Sequence, residues 1–255
     1  MSRFEILRRS STQKEFNGRC ALGIMTKAPE AGKVKTRLTP PLTPEEAAEL
    51  NICFLRDISH SIASASEQTG SRGVAIYTPE GSEAAYDNII PPNFSLILQR
   101  GHDFGERLML AVEDLIATGF GSVCLINSDS PTVSPSTFAE AATELAKRGD
   151  RIILGPSDDG GYYLIGLKKL HRFIFERIDW STDRVFEQTL ERANDTGVSV
   201  HLLPNGFDVD DRAMLRRLCD ELLGTQSSHD VAPNTRKFLS NIIQREGRGR
   251  IWPML

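Results

Sequence analysis

The chain predicts one α/β domain, a mostly parallel sheet held between layers of helix. Three observations predict it. Apolar runs and helical patterns alternate along nearly all of the 255 residues. The apolar runs are short and almost unbroken, as strands buried on both faces are. No stretch is rich enough in Gly, Pro or Ser to divide the chain, and no internal repeat is visible.

In order, residues 1–18 contain Arg8-Arg9 but no apolar segment of the signal-peptide kind, and read as a frayed, flexible N-terminal extension. The first strand is 20–26 (CALGIMT). A helix over 44–65 follows, opened by Pro44 with Thr43 as N-cap and Glu46 three residues on. Strands at 73–78 and 94–98, a helix at 104–118, a strand at 122–127 and a helix at 135–148 come next. The apolar runs 151–155 and 162–167 are joined by only a short polar loop, so they read as a hairpin or a paired crossing of the sheet. A helix at 182–196, a strand at 198–203 and a helix at 211–223 complete the pattern. The domain is placed at 19–240, with 241–255 as a solvated C-terminal tail whose three arginines do not by themselves make a nucleic-acid arm.

Composition narrows the function. Hydrophobic residues make up 40% and charged residues 25%, ordinary for a globular protein with a real core. A formal charge of −4 argues against bulk binding to nucleic acid or an anionic membrane. No apolar stretch approaches the ~18 residues of a membrane span. The four cysteines are scattered, without a CxxC pair, and read as reduced core thiols. The cytoplasm is the expected address.

Four motifs fall at predicted strand ends, where open parallel sheets bind their ligands. KAPEAGKVKTRL (27–38) gathers Lys27, Lys33, Lys35 and Arg37 in one loop. It is not a Walker A motif, since the place five before Gly32 holds Lys27, but its cations and backbone N–H groups can cradle a diphosphate. NSDSPT (127–132) puts Asp129 at a strand terminus, suited either to a divalent cation or to a turn. PSDDGGYYLIG (156–166) follows two acids with Gly160 and Gly161, which lets backbone come close to a ligand or simply turn a hairpin. FDVDD (207–211) alternates Asp208 and Asp210 on one face, and Asp211 suits the start of the following helix.

The ordered set KAPxxGxVKTRL, SDSPT, DDGGYYLIG, WST and DVD resembles a bacterial family of GT-A-type glycosyltransferases often labelled by arsenosugar biosynthesis, within the nucleotide-diphospho-sugar transferase superfamily. The likeness runs from about residue 20 to 223. KTRL with PLTPEEAAEL also resembles the 2-phospholactate guanylyltransferases, whereas DDGGYYLIGL and IDWST favour the first family. The resemblance implies a Rossmann-like GT-A domain in which KVKTRL, including Thr36, meets the phosphates of a nucleotide sugar. It implies Asp129 and Asp210 as ligands of Mg²⁺ or Mn²⁺. RGHDFGERL (100–108) is similar to a family element, with His102 added before the acid. It offers Asp103, Glu106 and Arg107 either to the pocket or to a helix start.

The expected activity is metal-dependent transfer of a sugar from a nucleotide sugar to a small acceptor. A divalent cation and fixed cations stabilise the departing nucleoside diphosphate. Asp158 or Asp159 is the candidate base for the acceptor hydroxyl, or else binds the sugar. The alternatives are nucleotidyl transfer of the guanylyltransferase type and a nucleotide-binding protein without turnover.

Overall fold

The computed structural model describes residues 3–225 and 230–252. One eight-stranded sheet runs through it in the order β1-β4-β3-β2-β5-β7-β6-β8. These strands are β1 (Glu5–Ile6), β2 (Cys20–Lys27), β3 (Arg72–Thr78), β4 (Ser95–Leu98), β5 (Ser122–Ile126), β6 (Arg151–Pro156), β7 (Tyr162–Leu167) and β8 (Ser199–Leu202). From β1 to β5 all neighbours are parallel, with β2 at the centre pairing Ile24 with Ala75 and with Ile126. β7 is antiparallel to both β5 and β6, and β8 returns parallel to β6. The apolar pair predicted as a hairpin or crossing is thus a hairpin, with its second strand inserted beside β5.

Side-chain alternation along the strands sorts the core into two layers. Leu22 and Ile24 face the cluster built on α1 (Pro44–Thr69) and α3 (Pro135–Ala146), with Leu55, Ile58 and Phe138. Ala21, Val74 and Leu125 face the opposite cluster, with Val112 and Leu115 of α2 (Phe104–Ala117) and Ala193 of α4 (Val185–Asp195). A third cluster forms where Leu50 and Phe54 of α1 meet α5 (Arg212–Leu223) and α6 (Pro233–Glu246). Thr43 and Glu46 cap α1 reciprocally, as the sequence predicts. The four cysteines are free and buried, and Cys20 Sγ lies 3.9 Å from Cys124 Sγ. Among the described residues no helix is long and apolar enough to cross a membrane.

Both ends differ from the expected extensions. Glu5 and Ile6 add an edge strand to β4, and Glu5 accepts hydrogen bonds from Arg72 and Ser95. Phe4 and Leu7 are buried, and Phe16 stacks on Phe120 with ring centroids 4.3 Å apart. A few lone apolar side chains, too sparse to make a pattern, anchor this segment. At the other end α6 runs through the expected boundary at residue 240, and Ile251 and Trp252 are buried beyond it. Trp252 Nε1 donates to Asp220 at 2.6 Å and Arg248 lies 3.5 Å from the ring centroid. Residues 1, 2 and 253–255 of the expected extensions lie outside the described residues.

The start of α6 depends on one distant acid. Asp57, buried on α1, accepts from Asn234 N (3.0 Å) and Nδ2 (2.7 Å) and from Thr235 N (2.9 Å) and Oγ1 (2.7 Å). Asp57→Ala leaves all four donors without that partner and is expected to cost about 3 kcal/mol or more. A wild-type urea midpoint for this variant would contradict the assignment.

Candidate functional site

The four motif loops lie together at one end of the sheet, beyond the carboxyl ends of β2, β5 and β6 and the start of β7. Backbone hydrogen bonds stitch them: Val209 N donates to Asp129 O, Gly206 N to Pro156 O, and Asn127 N to Tyr163 O. Two cavities open among them. The smaller, about 270 Å³, is lined by Lys27, Lys33, Lys35, Thr36 and Arg37 of the cationic loop, and by Asn51 of α1. The larger, about 620 Å³, is lined by Asp159, Gly161, Tyr162, Trp180, Asp183 and Asp208 among others. Both are lined by Arg37, Ser128, Asp129 and Asp210, which therefore form their junction.

At that junction Lys35 stands between two acids. Its Nζ lies 2.6 Å from Asp129 Oδ1 and 3.0 Å from Asp210 Oδ1, and donates to Val209 O at 2.8 Å. The side chain is 5% exposed and rises from a left-handed backbone with φ of 49°. Burial by itself lowers the ammonium's pKa, but the two carboxylates win and hold it above its ordinary value. Around it the other cations are freer. Lys33 pairs with the exposed Glu30 at 2.7 Å, Lys27 donates to Lys33 O at 3.2 Å, and Arg37 has no carboxylate partner among the described residues.

Asp208 does something the sequence pattern did not separate from Asp210. Its Oδ1 accepts from Ser130 Oγ (2.7 Å), Asn127 Nδ2 (2.8 Å) and Ser157 Oγ (3.1 Å). One carboxylate thereby ties the SDS loop, the DDGG loop and the DVD segment into one unit. Burial pushes its pKa up to about 6; the Ser130 hydrogen bond works against this, and the nearby Asp129, Asp159 and Asp210 add to it.

The two acids of the DDGG loop part company. Asp158 hydrogen-bonds Arg217 and Asn205 and lines neither cavity; the Arg217 contact leads in holding its carboxyl below the usual range. Asp159 lines the larger cavity and accepts from Gly161 N at 2.9 Å. Gly160 has φ of +83°, and a Cβ there would stand 2.0 Å from Asp183 O, so this loop closes against residues 179–186 only with glycine. In that segment Trp180 lies over Gly105 and meets Phe104 edge-on at 5.3 Å, forming an apolar rim to the larger cavity.

Asp103, Glu106 and Arg107 line neither cavity. Asp103 caps α2 by accepting from Glu106 N at 2.8 Å, Glu106 accepts from His102 N at 2.6 Å, and Arg107 donates to the carbonyls of Gly101 and His102. All three side chains thus hydrogen-bond the backbone around the start of α2. Beyond the residues singled out in the sequence, Asn51, Asn127, Phe104 and Asp183 line the cavities.

The donor set suits a hard divalent cation. Asp129 and Asp210 converge on the Lys35 ammonium, and carboxylate oxygens are the donors a hard cation takes. Among the described residues no group of three or more His, Cys, Asp or Glu gathers. Magnesium bound with a nucleotide commonly takes only one or two protein carboxylates, with phosphate oxygens and water completing its shell. Asp129 and Asp210 fit that arrangement.

Comparison with known proteins agrees with this architecture. Residues 61–182 match the model of a family described as "Uncharacterized protein conserved in bacteria (DUF2064)". The chain is similar to the "putative nucleotide-diphospho-sugar transferase" of Desulfovibrio desulfuricans G20, with 28% identity and a TM-score of 0.77 over 91% of this chain and 98% of that one. More distantly, it shares its fold with a nucleotidyl transferase from Methanothermobacter thermautotroptrophicus, with 15% identity and a TM-score of 0.52 over 82% and 99% of the two chains. A cytidylyltransferase from Leptospira borgpetersenii serovar Hardjo-bovis gives 11% identity and a TM-score of 0.50 over 93% and 98%. No curated protein matches the chain. The fold is the Rossmann-like one of the nucleotide-diphospho-sugar transferases.

Proposed function

We propose that this protein is a metal-dependent glycosyltransferase that moves a sugar from a nucleoside diphosphate to an uncharged acceptor hydroxyl, in the cytoplasm. The observation that carries this reading is the junction of two cavities of opposite character at Arg37, Ser128, Asp129 and Asp210. The cationic chamber suits the diphosphate, with Lys27, Lys33, Lys35 and Arg37 around it and Thr36 as a further donor. The larger chamber suits the sugar and its acceptor.

Charge favours glycosyl over nucleotidyl transfer. Besides Asp129 and Asp210, which face Lys35, the larger cavity is lined by Asp159, Asp183 and Asp208 and by one cation, Arg37. A phosphorylated second substrate, of the kind nucleotidyltransferases such as the 2-phospholactate guanylyltransferases join to an α-phosphate, would meet repulsion there. A hydroxyl-bearing neutral molecule would instead find acceptors for its protons and an apolar rim at Phe104 and Trp180.

Asp129 and Asp210 would hold Mg²⁺ or Mn²⁺ together with the phosphates, and such an ion would supply positive charge for the leaving group. In the reaction the acceptor oxygen bonds to the anomeric carbon as that carbon's bond to the β-phosphate oxygen breaks. The electron pair leaves with the nucleoside diphosphate, where Arg37 and the loop lysines meet it. Asp159 takes the acceptor's proton.

A thermal-shift panel of nucleosides, nucleoside diphosphates and nucleotide sugars, with and without Mg²⁺ or Mn²⁺, tests the reading. A ligand at a hundred times its Kd adds about 2.7 kcal/mol of stability. Diphosphates should shift the midpoint far more than nucleosides do, and more with metal than without. Arg37→Ala should weaken the diphosphate by about tenfold or more and leave the nucleoside unaffected. Equal loss for both would move Arg37 away from the phosphates.

A further inference from the structure

Asn51 stands out on helix α1. It is 4% exposed, sits among Ala47, Leu50 and Phe54, all fully buried, and lines the smaller cavity. Its Oδ1 has no hydrogen-bond partner among the described residues. An amide desolvated without a partner is a cost to the folded protein, and asparagine is also a poor helix former beside leucine or methionine. Among the described residues no partner of Oδ1 offsets these costs. The cavity that Asn51 lines is also lined by Lys27, Lys33, Lys35, Thr36 and Arg37, whose shared chemistry is that of anion binding.

We propose that Asn51 is a phosphate ligand of the smaller cavity, its side-chain amide donating a hydrogen bond to an oxygen of the bound diphosphate. The inference rests on the placement of the diphosphate in that cavity. With no partner holding Oδ1, a half-turn of the amide exchanges its two ends, and the Nδ2 end is the one that meets an anion. Arg37 and the lysines supply charge, whereas a buried amide on a rigid helix supplies a fixed direction. Asn51 thus sets where the phosphate sits and adds little to how strongly the site attracts anions from a distance.

The test uses inorganic pyrophosphate with Mg²⁺ as probe, titrated calorimetrically into the full chain. Asn51→Leu should bind it about tenfold more weakly or worse, while the ligand-free protein melts about 2–4 °C higher because an unpaired buried amide has been removed. Asn51→Asp keeps the size of the side chain, turns a carboxylate toward the anion and should weaken binding at least as much. A purely structural asparagine gives the opposite pair of results for Asn51→Leu, a lower melting point and unchanged affinity. Wild-type pyrophosphate affinity in either folded variant overturns the proposal. If the unaltered protein itself fails to bind pyrophosphate, the diphosphate placement and this proposal fall together. If it binds and Arg37→Ala weakens it while the Asn51 variants do not, only this proposal falls.

Discussion

Asp159→Asn is expected to keep donor binding and to lose transfer to the acceptor by about 10²–10⁴-fold, the usual scale for removing a general base. The expectation follows from how the structure divides two adjacent acids. Asp158 is turned away and held by Arg217 and Asn205, whereas Asp159 lines the larger cavity with its loop fixed by Gly160 and Gly161. In the proposed reaction donor affinity would come mainly from phosphates in the other chamber, so neutralising Asp159 should leave it nearly intact. Asp158→Asn should transfer within a few-fold of the unaltered protein. Donor Kd and single-turnover transfer, measured on both variants, separate the roles. Parallel loss of binding and transfer in Asp159→Asn would make the residue a sugar ligand. Unimpaired transfer would remove it from the chemistry.

Asp129→Asn and Asp210→Asn should each weaken divalent-cation binding and cation-dependent transfer by about 10²-fold or more, since loss of even an outer-shell partner typically costs 10–100-fold. Asparagine keeps the size and removes the charge a hard cation needs. Each variant also leaves Lys35 with one carboxylate against its burial, so its ammonium pKa should fall in both. Manganese titration followed by water relaxation reads the cation site without relying on turnover. Wild-type manganese affinity in both variants would contradict the assignment.

Much of this was legible in the residues and some was not. Seven strands and five helices follow from unbroken apolar runs and local caps, because those signals are carried within each element. Helix α6 escaped notice although Phe238, Leu239, Ile242 and Ile243 give it an apolar stripe. Its N-cap residue, Ala232, makes no side-chain cap, and the capping oxygens come from Asp57, far away in sequence. Which of Asp158 and Asp159 lines a cavity was equally out of reach, since Arg217 and Asn205 hold Asp158 from across the fold. Asp103 and Glu106 illustrate the reverse. An acid followed three places on by glutamate is a local helix-start signature, and the structure uses it that way. Asp208 and Asp210 looked alike in DVD, yet one ties three loops and the other faces Lys35. Asn51 gave no signal at all, because a polar residue inside a helical pattern becomes informative only once its surroundings are known.

In the proposed reaction the bond broken lies between a sugar and a diphosphate. Nucleotide sugars and nucleoside triphosphates, each with Mn²⁺ and a panel of neutral and phosphorylated acceptors, followed by ³¹P NMR, test it most directly. The expected result is release of nucleoside diphosphate from a nucleotide sugar, by transfer to a neutral acceptor or slowly to water, and lost in Asp129→Asn. Release of pyrophosphate from a triphosphate, with a phosphorylated acceptor joined to the nucleotide, would contradict it.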